Sequence, residues 1–186
     1  MIAWLEQGLK NRLAYLKGSL LKLYLRHHGC QVGHHLKCRE WPVFRVVPRG
    51  KIIIGDRVTI GYRITFDVAG GVLVLGDHVN LTQDIILSVT QEICIGDDTL
   101  VAENVSIRDS EHSRGAGTVM ARQGVSSRPV RIGKDVWIGA GCRILRGSKI
   151  ADGCVIGANS VVLEKSATKP DHIYVGCPVR MVGKRE

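Results

Sequence analysis

The residues best suited to chemistry lie in one polar stretch, residues 108–131, which interrupts a run of regularly spaced aliphatic residues. Within it, His112 is the only imidazole, and Asp109 and Glu111 stand beside it. Imidazole exchanges a proton readily near neutral pH, and a neighbouring carboxylate can fix its orientation or raise its basicity. Taken alone, a loop histidine is more often simply solvated, so a catalytic role for His112 depends on support from other parts of the sequence. The sequence does not choose between Asp109 and Glu111 as its partner.

Small residues recur further along the chain at a spacing of eighteen, Gly139 and Ala140 being followed by Gly157 and Ala158. If eighteen residues make one turn, these residues form a column of minimal side chains, which predicts a shallow track for a thin, extended ligand. The alternative is that corners simply need small residues. Basic residues gather beyond the last repeat, where they could bind phosphates of that ligand: Lys165, Lys169, Arg180, Lys184 and Arg185.

A repeat of six residues must position these groups. Large apolar residues recur at that spacing in five sets of three: Ile54, Ile60, Phe66; Leu75, Leu81, Leu87; Ile95, Val101, Ile107; Ile132, Ile138, Ile144; and Ile150, Ile156, Val162. A small or β-branched residue stands four places after most of them. Such short units cannot bury their apolar face alone and must stack on copies of themselves. The period predicts a parallel β-helix, because a sandwich or barrel would show irregular turn spacing.

The N-terminal part of the chain falls outside this rhythm. We expect an amphipathic helix over 1–29, an irregular lead-in segment over 30–51, whose strand and loop cover the first coil, and a repeat domain over 52–186 with its loop and C-terminal tail. The helix carries an apolar stripe: Ile2, Leu5, Leu9, Leu13, Leu16, Leu20 and Leu23. We expect this stripe to pack on the flank of the prism or on a neighbouring subunit, the alternative being a basic helix that lies on anionic lipid.

The composition favours an anionic partner. The 186 residues carry a net charge of +9, but only 5% are aromatic, and nucleic-acid-binding motifs are missing. The six cysteines lack the spacing of structural zinc sites, which argues against a metal. Several unpaired thiols indicate a reducing compartment, so we expect a cytoplasmic protein.

The repeats and several short motifs together resemble the hexapeptide-repeat acyltransferases. The motifs are Ile107-x-Asp109-x-x-His112, Val136-Trp137-Ile138-Gly139-Ala140, Ile156-Gly157-Ala158-Asn159-Ser160 and Val175-Gly176-Cys177-Pro178-Val179-Arg180. The likeness runs from Ile52 to the C-terminus and is greatest to the sugar and polysaccharide O-acetyltransferases of bacterial surface-glycan synthesis. It implies an all-β protein, a left-handed parallel β-helix of about five coils with an N-terminal α-helix and a protruding loop.

The resemblance also implies partners and residue roles. The protein would be a homotrimer with active sites between subunits, acetyl-CoA would be the cosubstrate, no metal would be needed, and His112 would be the general base. The cofactor-binding residues would be Gly139, Ala140, Ala158, Lys165, Arg180 and Lys184. Many relatives have a second histidine where this chain has Ser110. The loop of this chain therefore cannot supply two histidines to the active site.

The expected reaction is direct transfer of acetyl from acetyl-CoA to a hydroxyl of a sugar or surface-polysaccharide precursor, such as lipopolysaccharide, capsule or exopolysaccharide. Alternatives are a small acceptor, such as serine or an antibiotic, and the amino group of a nucleotide sugar. More distant are a γ-type carbonic anhydrase, to which His78 could contribute a zinc ligand, and a non-catalytic scaffold. A lipid-linked acceptor would bring the protein to the cytoplasmic face of the inner membrane.

Overall fold

The computed structural model describes residues 2–49 and 51–186, with side chains from residue 6 onward. The chain begins with one long helix, α1 (Ile2–His27), and then consists mainly of short strands. In chain order the strands are β1 (Gln31–Val32), β2 (Lys37–Cys38), β3 (Val43–Phe44), β4 (Ile52–Ile54), β5 (Thr59–Tyr62), β6 (Thr65–Val68), β7 (Val72–Leu75), β8 (Asn80–Gln83), β9 (Ile86–Val89), β10 (Glu92–Ile95), β11 (Leu100–Val101), β12 (Ser106–Arg108), β13 (Ser110–His112), β14 (Val125–Ser127), β15 (Val130–Ile132), β16 (Trp137–Ile138), β17 (Arg143–Ile144), β18 (Lys149–Ile150), β19 (Val155–Ile156), β20 (Val161–Val162), β21 (His172–Val175) and β22 (Arg180–Lys184).

The strands form three parallel sheets, one on each face of a prism. Face A has the order β1-β4-β7-β10-β15-β18, face B has β2-β5-β8-β11-β16-β19-β21, and face C has β3-β6-β9-β12-β17-β20. Strand β22 closes face B as an antiparallel neighbour of β21. Each coil contributes one strand to each face, so the chain winds through six coils and starts a seventh. The predicted class is confirmed, but the column has about seven turns rather than five.

The additional first coil comes from the lead-in segment, which is not an irregular cover as the sequence suggested. Strands β1, β2 and β3 place Val32, Cys38 and Phe44 six residues apart, in parallel register with the coil that follows. The rhythm is concealed because a cysteine and a phenylalanine replace aliphatic residues and prolines occupy two of the compact positions. The residues four places further on are all buried: Leu36, Pro42 and Pro48.

The core is a continuous column of the repeat's large residues. On face B, for example, Ile60, Leu81, Val101, Ile138 and Ile156 lie in register and are fully buried or nearly so. The compact inward positions hold small polar residues as well, and these find partners in the backbone. These bonds run from Thr99 Oγ1 to the Gly133 carbonyl, from Ser148 Oγ to the Val162 carbonyl and from Cys142 Sγ to the Gly157 carbonyl.

The buried cysteines behave as small hydrophobic residues. Cys142 and Cys154 are fully buried, and burial raises the pKa of both thiols. A raised pKa leaves little of the nucleophilic thiolate at neutral pH. All six cysteines are unpaired. These observations favour a packing role for Cys142 and Cys154, in agreement with their place in the repeat.

Helix α1 lies across the N-terminal end of the column, against the first coil. It buries Ala14, Gly18, Leu21 and Leu25, and a Cβ added at Gly18 would collide with the carbonyl oxygen of Leu36. The expectation that the leucine stripe packs on this prism is therefore wrong. The small residues of the opposite face allow the close backbone approach that leucines would prevent. The side chains of Ile2 and Leu5 lie outside the described residues.

Candidate active site

The loop at 108–131 folds as a β-hairpin that leaves the prism after strand β12. Strands β13 and β14 pair antiparallel, with Ser110 opposite Ser127 and His112 opposite Val125. A 3-10 helix, Met120–Arg122, lies near the tip. The hairpin returns to the prism at β15, so it projects from the edge between faces C and A, which we call the CA edge. His112 is exposed on its first strand.

Asp109 fixes the base of the hairpin. Its carboxylate is fully buried and accepts hydrogen bonds from three backbone N–H groups of the preceding corner, those of Thr90 (2.8 Å), Gln91 (2.6 Å) and Glu92 (2.7 Å). The Asp109 carbonyl also accepts from the N–H of Arg128, where the hairpin returns, at 2.8 Å. Both carboxylate oxygens are thus engaged with the backbone, which assigns Asp109 to positioning the hairpin.

Glu111 anchors the arm that carries His112. Its Oε1 lies 2.8 Å from Nε of Arg146, in the next coil, and 3.5 Å from the guanidinium of Arg114. The Arg146 guanidinium lowers the pKa of Glu111, with a smaller contribution from Arg114. Among the residues that the structure describes, no hydrogen bond joins His112 to Glu111 or Asp109.

Arg146 is a site residue that no sequence motif marks, although the six-residue repeat places it at a corner, two residues after Ile144. It stands at a corner of the coil that follows the hairpin, directly below the inserted loop, and only 18% of its side chain is exposed. Together with Glu111, Leu145 and Lys165 it lines a cavity of about 240 Å³ beneath the hairpin. Arg128 forms a further ion pair with Glu164 at the same edge. Charged side chains therefore fasten both strands of the hairpin to the prism near its base.

The small residues predicted to stack do stack, on the edge between faces B and C, which we call the BC edge. The Gly139 N–H donates to the Ile156 carbonyl at 2.8 Å, and the Asn159 N–H donates to the Ala140 carbonyl at 2.7 Å. A Cβ at Gly139 would lie 2.7 Å from the backbone nitrogen of Ala158. Ala158 is exposed and Ala140 half-buried. The edge therefore presents bare backbone along successive coils.

A basic groove lies at the C-terminal end of the column. A cavity of about 540 Å³ is lined by Lys165, Lys169 and Arg180, beside Tyr174 and Met181. Three of the predicted basic residues therefore share one concave surface. The other two do not line it. Lys184 pairs with His172 in the antiparallel strands, and Arg185 is ion-paired with Asp135 at 2.6 Å, a contact that raises the pKa of the guanidinium.

Comparison with known proteins agrees with this fold. Residues 129–164 match the family model of bacterial transferase hexapeptide (six repeats). A probable acetyltransferase of Mycobacterium tuberculosis is 38% identical over 134 residues, which make up 72% of this chain and 44% of that protein. WbbJ of Escherichia coli, described as a lipopolysaccharide biosynthesis O-acetyl transferase, is 31% identical over 144 residues, 73% of this chain and 72% of its own length.

The chain belongs to the hexapeptide-repeat acyltransferase family. A solved structure of AntD, an N-acyltransferase from Bacillus cereus in complex with dTDP and 3-hydroxybutyryl-CoA, aligns with a TM-score of 0.62 over 87% of each chain. At 21% identity this likeness shows the common fold alone. The chain spans less than half of the mycobacterial relative and about three quarters of WbbJ.

The candidate site residues of this family member lie on two different edges of the prism. His112 stands on the CA edge, whereas Gly139, Ala140 and Ala158 lie on the BC edge. His78, the residue considered as a zinc ligand, lies on the third edge, where its Nδ1 is 2.9 Å from Asp98 Oδ1. One copy of the chain therefore does not bring the imidazole and the small-residue track together.

Proposed function

We propose that this protein is an O-acetyltransferase that moves an acetyl group from acetyl-CoA to a hydroxyl of a sugar or surface-polysaccharide precursor. The observation that carries the proposal is the BC edge, where Gly139, Ala140 and Ala158 stack on a column that ends in a basic cavity. Membership of the acyltransferase family supports the reaction class. The similarity to WbbJ favours a glycan hydroxyl as acceptor.

The shape of the BC edge suits an extended thioester. The N–H groups of Ala140 and Ala158 take no part in the described hydrogen bonds between coils. They lie on neighbouring coils, about 4.8 Å apart, and could donate to the amide carbonyls of a pantetheine arm. Lys165, Lys169 and Arg180 would bind phosphates at the nucleotide end. Lys184 lies outside that cavity, so it would reach the ligand only at its margin. The complex of AntD with an acyl-CoA supports this use of the fold.

The separation of the two edges implies a shared active site. In a homotrimer with threefold symmetry, the CA edge of one subunit faces an edge of its neighbour, and a repeated heterologous contact closes the ring. We infer that His112 of one subunit lies over the Ala140–Ala158 track of the next. The hairpin would then complete a site that neither subunit contains alone.

In the proposed mechanism, His112 accepts the proton of the acceptor hydroxyl as its oxygen attacks the acetyl carbonyl. The tetrahedral adduct collapses when the carbon–sulfur bond breaks, and the imidazolium returns the proton to the departing thiolate. Backbone N–H groups near the track would stabilise the oxyanion. Cys142 and Cys154 are buried inside the prism and their pKa values are raised, so neither is a suitable nucleophile for an acyl-enzyme, and the proposal is direct transfer.

A mixing experiment tests the shared site. His112→Asn removes the base and Ala158→Trp obstructs the track, so each homotrimer is expected to be inactive. After co-expression with two different affinity tags and purification over both, the mixed trimers are expected to recover about a third of wild-type activity, because in every mixed ring one of the three interfaces joins an intact His112 to an intact track. Free thiol release from acetyl-CoA, with a panel of sugars and lipid-linked oligosaccharides, would report the activity.

Two results would contradict the proposal. If neither variant loses activity, the assigned residues are not part of the site. If both are inactive and the mixed trimers remain inactive, the two halves belong to one chain or to no common site. Ala158→Gly, which keeps the track open, serves as the matched control and should retain both activity and stabilisation by coenzyme A.

A further inference from the structure

Helix α1 leaves a continuous apolar stripe uncovered. Leu9, Leu13, Leu16, Leu20 and Leu23 follow each other at alternating spacings of four and three, and their exposed fractions lie between 48% and 70%. Spacings of this kind place all five side chains on one face of a helix. Soluble proteins rarely leave a contiguous apolar surface of this kind without a partner.

The stripe points away from the prism. The buried face of the helix, formed by Ala14, Gly18, Leu21 and Leu25, lies against β1 and β2 of the first coil. Because the helix covers the end of the column, its opposite face is directed outward from that end. In any assembly whose symmetry axis parallels the column, all copies of the stripe would face the same side.

The charges around the stripe indicate which kind of partner it binds. On a helix of 3.6 residues per turn, Arg12 falls on one side of the stripe and Lys10 on the other, and both side chains are exposed. Arg26 and Lys17 lie further round the helix and donate hydrogen bonds to backbone carbonyls of the first coil. Glu6 is the single acidic residue in the helix sequence. Two copies paired through their stripes would bring basic flanks together, which is unfavourable. A flat anionic surface would satisfy both the leucines and the cations.

An exposed tryptophan extends this surface. Trp41 in the first coil is 45% exposed, and its ring meets that of Tyr24 edge to face, with centroids 5.6 Å apart. Tyr24 belongs to the helix, between the stripe and the buried face. Tryptophan is enriched where proteins meet the headgroup region of a bilayer. Helix α1 itself offers no stretch long and apolar enough to cross a membrane.

We propose that α1 docks the protein onto an anionic membrane surface, with the five leucines inserted among the lipid headgroups and the flanking cations against the lipid phosphates. This would hold the column upright on the bilayer by its N-terminal end. The inference is independent of the acetyl-transfer proposal, because it uses neither the hairpin that carries His112 nor the Ala140–Ala158 track.

Vesicle binding by the full-length protein tests the inference. Wild-type protein is expected to co-sediment with phosphatidylcholine vesicles that contain about 30% phosphatidylglycerol, and at least tenfold more weakly with phosphatidylcholine alone. The double variant Leu16→Gln/Leu20→Gln should lose at least tenfold in affinity. Lys10→Gln/Arg12→Gln should weaken binding at low salt and reduce its salt dependence. All four side chains are exposed, so circular dichroism and the unfolding temperature should stay unchanged.

A matched control removes equal apolar surface elsewhere. Val119→Gln/Met120→Gln, at the hairpin tip, alters two side chains that are 62% and 63% exposed and should leave vesicle binding intact. Three results would overturn the inference: no binding of wild type to anionic vesicles, equal binding by the leucine variant, or a smaller oligomer in the leucine variant. The last result would assign the stripe to contact between copies of the chain.

Discussion

The CA and BC edges of the prism differ in whether the six-residue repeat continues through them. The CA edge interrupts it with a hairpin that carries His112 into solvent, fastened by Asp109, Glu111 and Arg128. The BC edge keeps the repeat and reduces its side chains to Gly139, Ala140 and their counterparts one coil later. An insertion can thus supply a reactive group, while an uninterrupted corner can supply a surface on which a ligand lies.

This difference predicts that substitutions at the two edges impair different properties of the protein. Loss of a reactive group on the CA edge should reduce the turnover number, whereas obstruction of the BC edge should reduce affinity for the cosubstrate. A change at the buried base of the hairpin should reduce stability first. These three signatures separate catalysis, binding and positioning within one small protein.

The largest effect is expected at His112. His112→Asn should lower kcat for acetyl transfer by about two to four orders of magnitude, because the acceptor hydroxyl loses its base. The rise in unfolding temperature on addition of coenzyme A should be unchanged, since the BC edge is intact. His34→Asn, another exposed histidine at a corner of the prism, is the control and should have wild-type kcat. A His112→Asn variant with normal turnover would remove the imidazole from the mechanism.

Much of the fold could be predicted because the repeat is local. Six-residue spacing determines which side chains face inward, and it gave the three faces, the stacking of Gly139 on Gly157 and the site of the hairpin. The first coil was not predicted, because Cys38 and Phe44 are not the aliphatic residues that define the six-residue repeat elsewhere. Its parallel register with the next coil became visible only through backbone pairing.

The role of a side chain could not be predicted where it depends on a contact residue that is distant in the sequence. The packing face of α1 was misassigned because Gly18 and Ala14 look unremarkable until the Leu36 carbonyl beneath them is known. Likewise, Asp109 and Glu111 are equivalent neighbours of His112 in sequence. Only the fold shows that the first accepts three corner amides and the second meets Arg146.

A smaller effect, on stability, is expected at Asp109. Asp109→Asn replaces one of two buried acceptor oxygens with an NH2 group that faces backbone donors, and we expect a loss of about 2 kcal/mol in the free energy of unfolding. Asp152→Asn is the matched control, because that carboxylate is exposed and accepts one amide, from Lys134. Denaturant titration would measure both. A variant with full stability and greatly reduced kcat would instead show that Asp109 acts on His112.

The smallest effect is expected at Glu111 and should depend on pH. Because Arg146 lowers the pKa of Glu111 in the folded protein, the ion pair adds stability at pH values above the ordinary range of a glutamate and loses it as the pH falls through the folded-state pKa. Glu111→Gln should therefore lower the unfolding temperature at pH 7 by no more than about 2 °C, since partly exposed pairs are weak. The difference from wild type should shrink toward pH 3 and with added salt. A difference that grows on acidification would have the wrong sign for this ion pair and would assign the anchoring of the hairpin to Asp109 and Arg128.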